Sequence, residues 1–209
     1  MSFLGESLEA LIQIISKFPG LGPRSAQRII LHLLKHKNQL LQSMVDHFLD
    51  IHRRYHPCAI CGYMDERMPC FFCTSLSRDP QIICIVANTG DIWALERSAF
   101  FKGQYHVLGG LLSAMSSIHP EDLSIEGLLD RLGAGIVQEV IVALDGTLEG
   151  QTTMHYLAQE IEDHFPEMKI SCLARGIPMG GELCYLDQGT LMNAFLGRKN
   201  IQRSALTAG

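Results

Sequence analysis

Four cysteines carry the strongest chemical signal in the chain. Cys58-Ala59-Ile60-Cys61 is followed, after eight residues, by Cys70-Phe71-Phe72-Cys73. A CxxC turn lets two thiolates reach the same ion, and two such turns supply the four soft ligands of a tetrahedral Zn2+ site. Four protein ligands leave no position for water, so such a zinc is structural and not catalytic. Gly62, Asp65, Glu66 and Pro69 suit a turn between the two halves of the knuckle. Disulfides would need an oxidising compartment, to which nothing in the sequence points. The other three cysteines, Cys84, Cys172 and Cys184, lie in apolar or strand-like surroundings and are expected to pack as small hydrophobes. His47, His52 and His56 are read as surface or partner-facing, because four thiols already fill the site.

A second stretch is suited to anions. In Phe18-Pro19-Gly20-Leu21-Gly22-Pro23-Arg24, Pro19 stops one helix and Pro23 suits the first turn of the next. Gly20 and Gly22 remove side chains, so backbone N–H groups can approach a phosphate, and the following helix adds the positive end of its dipole. Arg24 and Arg28 lie along the same phosphate path, and Lys17, Lys35 and Lys37 add longer-range attraction. Such contacts hold the sugar-phosphate backbone and do not read bases. The plain alternative is an αα-corner with a glycine turn.

The elements that must position these groups follow from periodicity. Leu4, Leu8, Leu11, Ile12 and Ile15 mark an amphipathic helix over 3–17, and Ala26, Ile29, Ile30, Leu33 and Leu34 continue a second. A third is expected from Asn38 to about His52, with Leu40, Leu41, Met44, Val45 and Phe48 on one face. Beyond the cysteines, Ser77-Arg78-Asp79-Pro80 marks a boundary. Strands are expected at 81–87, 105–108, 137–144 and 169–173, and helices at 91–98, 121–132 and 152–165. This alternation predicts an α/β fold with a mostly parallel sheet, whose ligand sites lie beyond the carboxyl ends of the strands. Those ends are 87–91, Gly109-Gly110 and 145–150. A glycine-rich loop follows at 174–182, then a short strand over 182–186 and a last helix over 190–195; residues 202–209 are expected to fray. There is no GxxxxGK[ST], so a P-loop is not supported.

Composition narrows the class. The 209 residues are 47% hydrophobic and 19% charged, which suits a globular protein with a real core. Net charge is −5. Residues 1–56 nevertheless carry seven Lys/Arg against four acids, a net of +3, leaving −8 for the rest. A basic end on an acidic body is compatible with a local nucleic-acid footprint. The acidic stretches around Glu121–Asp130 and Glu160–Asp163 either face a basic partner or are simply solvated. Residues 1–16 contain Glu6 and Glu9 and no cationic start, so they are not read as a signal peptide, and no apolar run approaches a bilayer span. The expected location is cytoplasmic.

The order of these features resembles the RecR recombination mediator family over nearly the whole chain. The resemblance rests on Pro19–Arg28, the four cysteines, Tyr105-His106-Val107-Leu108-Gly109-Gly110, Glu149-Gly150 and Ala174-Arg175-Gly176-Ile177-Pro178-Met179-Gly180-Gly181. It implies a helix-hairpin-helix region at 1–56, a four-cysteine zinc finger at 57–77, a Toprim domain at 78–174 and a C-terminal extension at 175–209. It also implies a homo-oligomer, a dimer or tetrameric ring, that clasps DNA. With RecO, and RecF in some settings, it would help load RecA on single-stranded DNA. The chain departs from the family pattern in two places. Toprim domains carry a glutamate just after the first strand, where this chain has Ala87, and the relatives' Asn-Pro-Thr-Val-Glu-Gly run after the third strand is here Asp145-Gly146-Thr147-Leu148-Glu149-Gly150. A catalytic Toprim enzyme uses a DxD pair for magnesium, and Thr147 stands where its second aspartate would. Asp91, Asp145 and Glu149 could hold a weak Mg2+ or face a partner, or serve as helix-start acids, the reading we favour. The resemblance therefore implies a non-enzymatic DNA-binding subunit; a Mg2+-dependent Toprim enzyme acting on DNA is the alternative.

Overall fold

A computed structural model describes residues 4–198. It divides into two compact units, with the division between Tyr55 and His56. The first unit is helical. Helix α1 (Glu6–Ser16) packs on α2 (Pro23–Lys35), which starts with Pro23 in its first turn and buries Ala26, Ile30 and Leu33. The expected third helix is split. Lys37–Leu41 forms a wider π turn, and α3 follows over Gln42–Arg54. Its apolar side is left open among the described residues: Leu40, Val45 and Phe48 are exposed, Phe48 by 60%. So short a helical unit has too little chain to bury all its apolar stripes.

The second unit opens with the cysteine knuckle. Strands β1 (His56–Pro57) and β2 (Met64–Asp65) pair antiparallel, and a short helix α4 (Phe71–Thr74) closes it. Then β3 (Asp79–Val86), β4 (Gly103–Val107), β5 (Glu139–Val142) and β6 (Lys169–Cys172) form one parallel sheet in the order β4-β3-β5-β6. Helices α5 (Thr89–Arg97), α6 (Ile125–Gly133) and α7 (Leu148–His164) link successive strands. The alternation expected of a parallel α/β sheet is present.

Period-two side-chain alternation along β3 sorts the core into two layers. Ile83 and Ile85 join Leu128 and Leu132 of α6 and Leu157 and Ile161 of α7. Cys84 and Val86 face the other way, into a layer made of Ile92 of α5, Tyr105 and Val107 of β4, and Cys58, Cys61, Cys70 and Phe72 of the knuckle. The knuckle is thus part of the sheet's second face. It also edges the sheet: the Val107 N–H donates to the Cys61 carbonyl at 2.7 Å. Gly62 makes that approach feasible. Its φ is +75°, and a Cβ there would stand 2.9 Å from the Val107 carbonyl oxygen.

Several elements differ from the periodicity reading. The helix expected over 121–132 is broken. Pro120–Asp122 is one 3-10 turn, and α6 starts at Ile125, because the Ser124 N–H is taken by the Leu108 carbonyl at 2.9 Å and the Ser124 carbonyl accepts from His106 Nε2 at 2.7 Å. Helix α7 starts at Leu148, four residues early, because Thr147 caps it by accepting the Gly150 N–H. The strand expected over 182–186 is instead a 3-10 turn, Leu183–Tyr185, ahead of α8 (Gln188–Leu196). Cys84 is buried as expected, whereas Cys172, on the edge strand β6, and Cys184, beside that turn, are exposed. Residues 202–209 lie outside the described residues.

Two stability predictions follow from this packing. His106 is 1% exposed, its Nδ1 has no hydrogen-bond partner, and burial lowers its pKa from 6.5 to about 4. The unfolded chain therefore binds more protons between pH 6.5 and 4, so stability present above pH 6.5 is lost as pH falls through that window. Urea unfolding should show wild type losing about 2 kcal/mol more than His106→Gln between pH 7 and pH 5. Gly62→Ala should cost about 2 kcal/mol at neutral pH, since it adds left-handed strain to the contact at Val107.

Candidate metal centre and nucleic-acid interface

The knuckle brings the four cysteines together. Their Sγ atoms all lie within 4.8 Å of one another, the only such cluster of His, Cys, Asp or Glu ligands among the described residues. A tetrahedral ion with metal–sulfur bonds near 2.3 Å needs sulfurs about 3.8 Å apart, so this donor set fits one metal ion. The sulfurs are close enough to bond one another. The Cys70 N–H points at Cys58 Sγ at 3.5 Å, and Cys61 and Cys70 sulfurs are 3.4 Å apart. Hydrogen bonds from Cys61 and Cys73 push the Cys70 thiol below its ordinary range. The same bonds, aided by burial, push Cys61 up. Asp65 closes the loop between the pairs. Its carboxylate accepts the N–H of Phe71 at 2.7 Å and of Arg67 at 3.2 Å, and these bonds outweigh the upward push of burial and keep its pKa low.

Arg78 ties this knuckle to the sheet, a role its place in a boundary segment did not reveal. Its guanidinium lies over the Phe72 ring at 4.7 Å and the Tyr105 ring at 5.4 Å. It donates to the Gly103 carbonyl at 3.0 Å and to Glu96 of α5 at 2.6 Å. Tyr105 Oη donates to the other Glu96 oxygen at 2.5 Å. Burial, then Glu96, pushes the Tyr105 pKa above its ordinary range. The hydrogen-bond partners of Arg78 stand 18 and 25 residues away, so no local spacing could have shown them.

The anion-suited hairpin lies in the first unit, where the Leu21 N–H donates to the Phe18 carbonyl at 3.0 Å and Gly20 has φ of +75°. Gly22 precedes α2 with φ of −105°, and no side chain caps that helix. A Cβ at either glycine would meet nothing within 4 Å. The chain's own fold therefore does not demand a bare Gly22, and the space beside it is open. Lys17, at the end of α1, and Arg24 and Arg28, on the first two turns of α2, are exposed and form no ion pair among the described residues. Arg28 also lines a groove of about 670 Å3 with Ser25, Ile29 and His32. Lys35 and Lys37 are exposed but lie at the other end of α2, roughly 16 Å along its axis from Arg24. They cannot share a phosphate with the hairpin.

The acids at the strand ends do not converge. The chain order reverses around β3, which places a crevice beyond the ends of β3 and β5. Asp91 there is spent on α5: its carboxylate accepts the Asn88 N–H at 2.9 Å while Asn88 accepts the Gly90 N–H. Asp145 is exposed in the turn before α7, and Glu149 is half-buried in that helix's first turn. Ala87 is 5% exposed, and its carbonyl accepts the Gly109 N–H at 3.0 Å. Position 87 itself carries no carboxylate.

Comparison with known proteins agrees with these two units. A RecR helix-hairpin-helix model matches residues 8–49, a Toprim domain model residues 81–174, and a RecR C-terminal model residues 176–199. Proteins named Recombination protein RecR are similar along most of their length. That of Sinorhizobium fredii is 48% identical over 94% of this chain and 97% of its own. That of Rhizobium meliloti is 48% identical over 93% and 96%. That of Parvibaculum lavamentivorans is 46% identical over 95% and 99%. With a glycine hairpin, a four-cysteine knuckle and a Toprim sheet in one order along it, the chain belongs to the RecR family of recombination proteins.

Proposed function

We propose that this chain is a cytoplasmic, DNA-binding subunit of a recombination-repair mediator that performs no chemical step of its own. The observation that carries this reading is the uncapped turn Gly20-Leu21-Gly22, open around both glycines, with Arg24 and Arg28 beside it and unpaired among the described residues. Backbone N–H groups at the start of α2, the helix dipole and the two guanidinium groups would hold a backbone phosphate. Lys35 and Lys37 would act only at longer range. Ala87 at the strand end, and acids engaged as helix caps or left apart, support the absence of Toprim chemistry.

One such turn on an acidic chain binds weakly. The exposed Ile14, Phe18, Leu31 and Phe48 of the first unit support burial of that surface against other copies of the chain. A dimer or ring multiplies weak contacts through effective concentration. From the family come the expected partners: RecO, RecF in some settings, and RecA as the protein loaded on single-stranded DNA. The ion in the knuckle is read as zinc, since four thiolates select it and leave no water position.

Arg24→Ala with Arg28→Ala should lower duplex affinity on the order of tenfold to a hundredfold. It should also reduce the slope of log K against log salt by about 2, with the melting curve unchanged. Unchanged affinity would assign the hairpin to a protein partner instead. Metal analysis of the purified protein should give one zinc per chain, and Cys61→Ser should lose it.

A further inference from the structure

We propose that Trp93 is a stacking site for an unpaired base of single-stranded nucleic acid, served by the cation Arg97 one turn further along α5. The inference stands on the second unit alone and does not need the hairpin. Trp93 is the single tryptophan of the chain, and it is 62% exposed. Its indole N–H donates to the Tyr63 hydroxyl of the knuckle at 3.3 Å. That bond uses the edge of the ring and fixes its orientation, so a large flat surface is presented to solvent at little further entropic cost. Tyr63 is itself held, edge-on to Phe72 at 4.8 Å.

The surroundings select the occupant. Four residues onward from Trp93, Arg97 lies on the same side of the helix. Phe100, just past the helix, is 89% exposed, and Lys102 is exposed as well. Aromatic and cationic side chains thus alternate at 93, 97, 100 and 102, the pattern of a surface that stacks bases and follows a phosphate backbone. Neither Arg97 nor Lys102 forms an ion pair among the described residues. The acids of α5 are both engaged, Asp91 in its own cap and Glu96 with Arg78 and Tyr105, so they do not neutralise these cations. A protein partner would instead favour a contiguous apolar patch, but next to Trp93 on this helix face stand Thr89, Gly90, Glu96 and Arg97, none of them apolar and large. Duplex DNA keeps its bases stacked and offers nothing to the ring.

A single tryptophan makes its own fluorescence the reporter. Titration with a short oligothymidylate should quench Trp93 saturably, in step with the anisotropy of a labelled oligonucleotide, and a duplex of the same length should not quench it. Trp93→Ala should weaken single-strand binding about 5- to 100-fold while sparing duplex binding; Trp93→Phe should keep most of the affinity. Arg24→Ala with Arg28→Ala should leave the oligothymidylate quench in place, which separates this site from the hairpin. The proposal is overturned by failure to bind oligothymidylate, by binding without quenching, by equal quenching with duplex, or by full single-strand affinity in Trp93→Ala. It is equally overturned if emission from the free protein is already that of a buried ring, since another copy would then cover the site.

Discussion

A parallel sheet has to be covered on both faces, and this chain meets that demand unequally. One face of β3 is buried under two full helices, α6 and α7. The other has only α5, and the rest of its cover comes from a knuckle of about twenty residues whose own interior is four thiols and Phe72. So short a segment has little apolar area of its own; a metal ion held by its four thiols would supply what the missing hydrophobic core does not. Arg78 then locks the layer, since a single guanidinium engages a knuckle ring, a strand ring, a strand carbonyl and an α5 carboxylate. Such a nearly buried charge persists because every side of it is matched. The four-cysteine knuckle is therefore a packing element of the sheet as well as a candidate metal site.

How legible this was depends on the range of the forces involved. CxxC spacing, the glycine hairpin and the apolar run of β3 are local, and each is readable within ten residues. The four cysteines converge because a tight turn leaves them few alternatives. By contrast, the break before α6 comes from Ser124 bonding to β4, and the strand expected near Leu183 lacks a partner strand to pair with. Apolar periodicity in α3 read as core, yet its stripe faces outward from the unit; a hydrophobic pattern says that a face is to be buried and not by which molecule. Cys172 was expected to pack as a small hydrophobe from its strand-like surroundings, but strand order is not local information, and on the edge strand β6 it is exposed.

The hairpin and the knuckle use backbone in opposite ways. Gly62 is bare because another part of the same chain occupies the space, whereas Gly22 is bare with nothing near it. The first is a demand of folding, the second a demand that folding does not explain. That contrast separates a structural glycine from one kept for an outside ligand, and it can be made only with the neighbouring atoms in view. It also bears on strength: a turn offering a few N–H groups and two solvated guanidinium groups would compete with water and salt for any phosphate, and would gain from repetition rather than from any single contact.

The strand-end crevice makes the same distinction in chemical terms. In a site built for acid–base or metal chemistry, carboxylates are held close together at the cost of mutual repulsion. Here the closest candidate, Asp91, gives its oxygens to the backbone of its own helix, and Ala87 is packed where a carboxylate would need water or a cation. The sheet also has a scaffold's fastenings, with β4 edged by the knuckle and α5 fastened on both sides, through Glu96 to Arg78 and through Trp93 to Tyr63. Rigidity at α5 bears on the stacking proposal: a ring presented on a helix fixed at two points would lose little freedom on taking up a base.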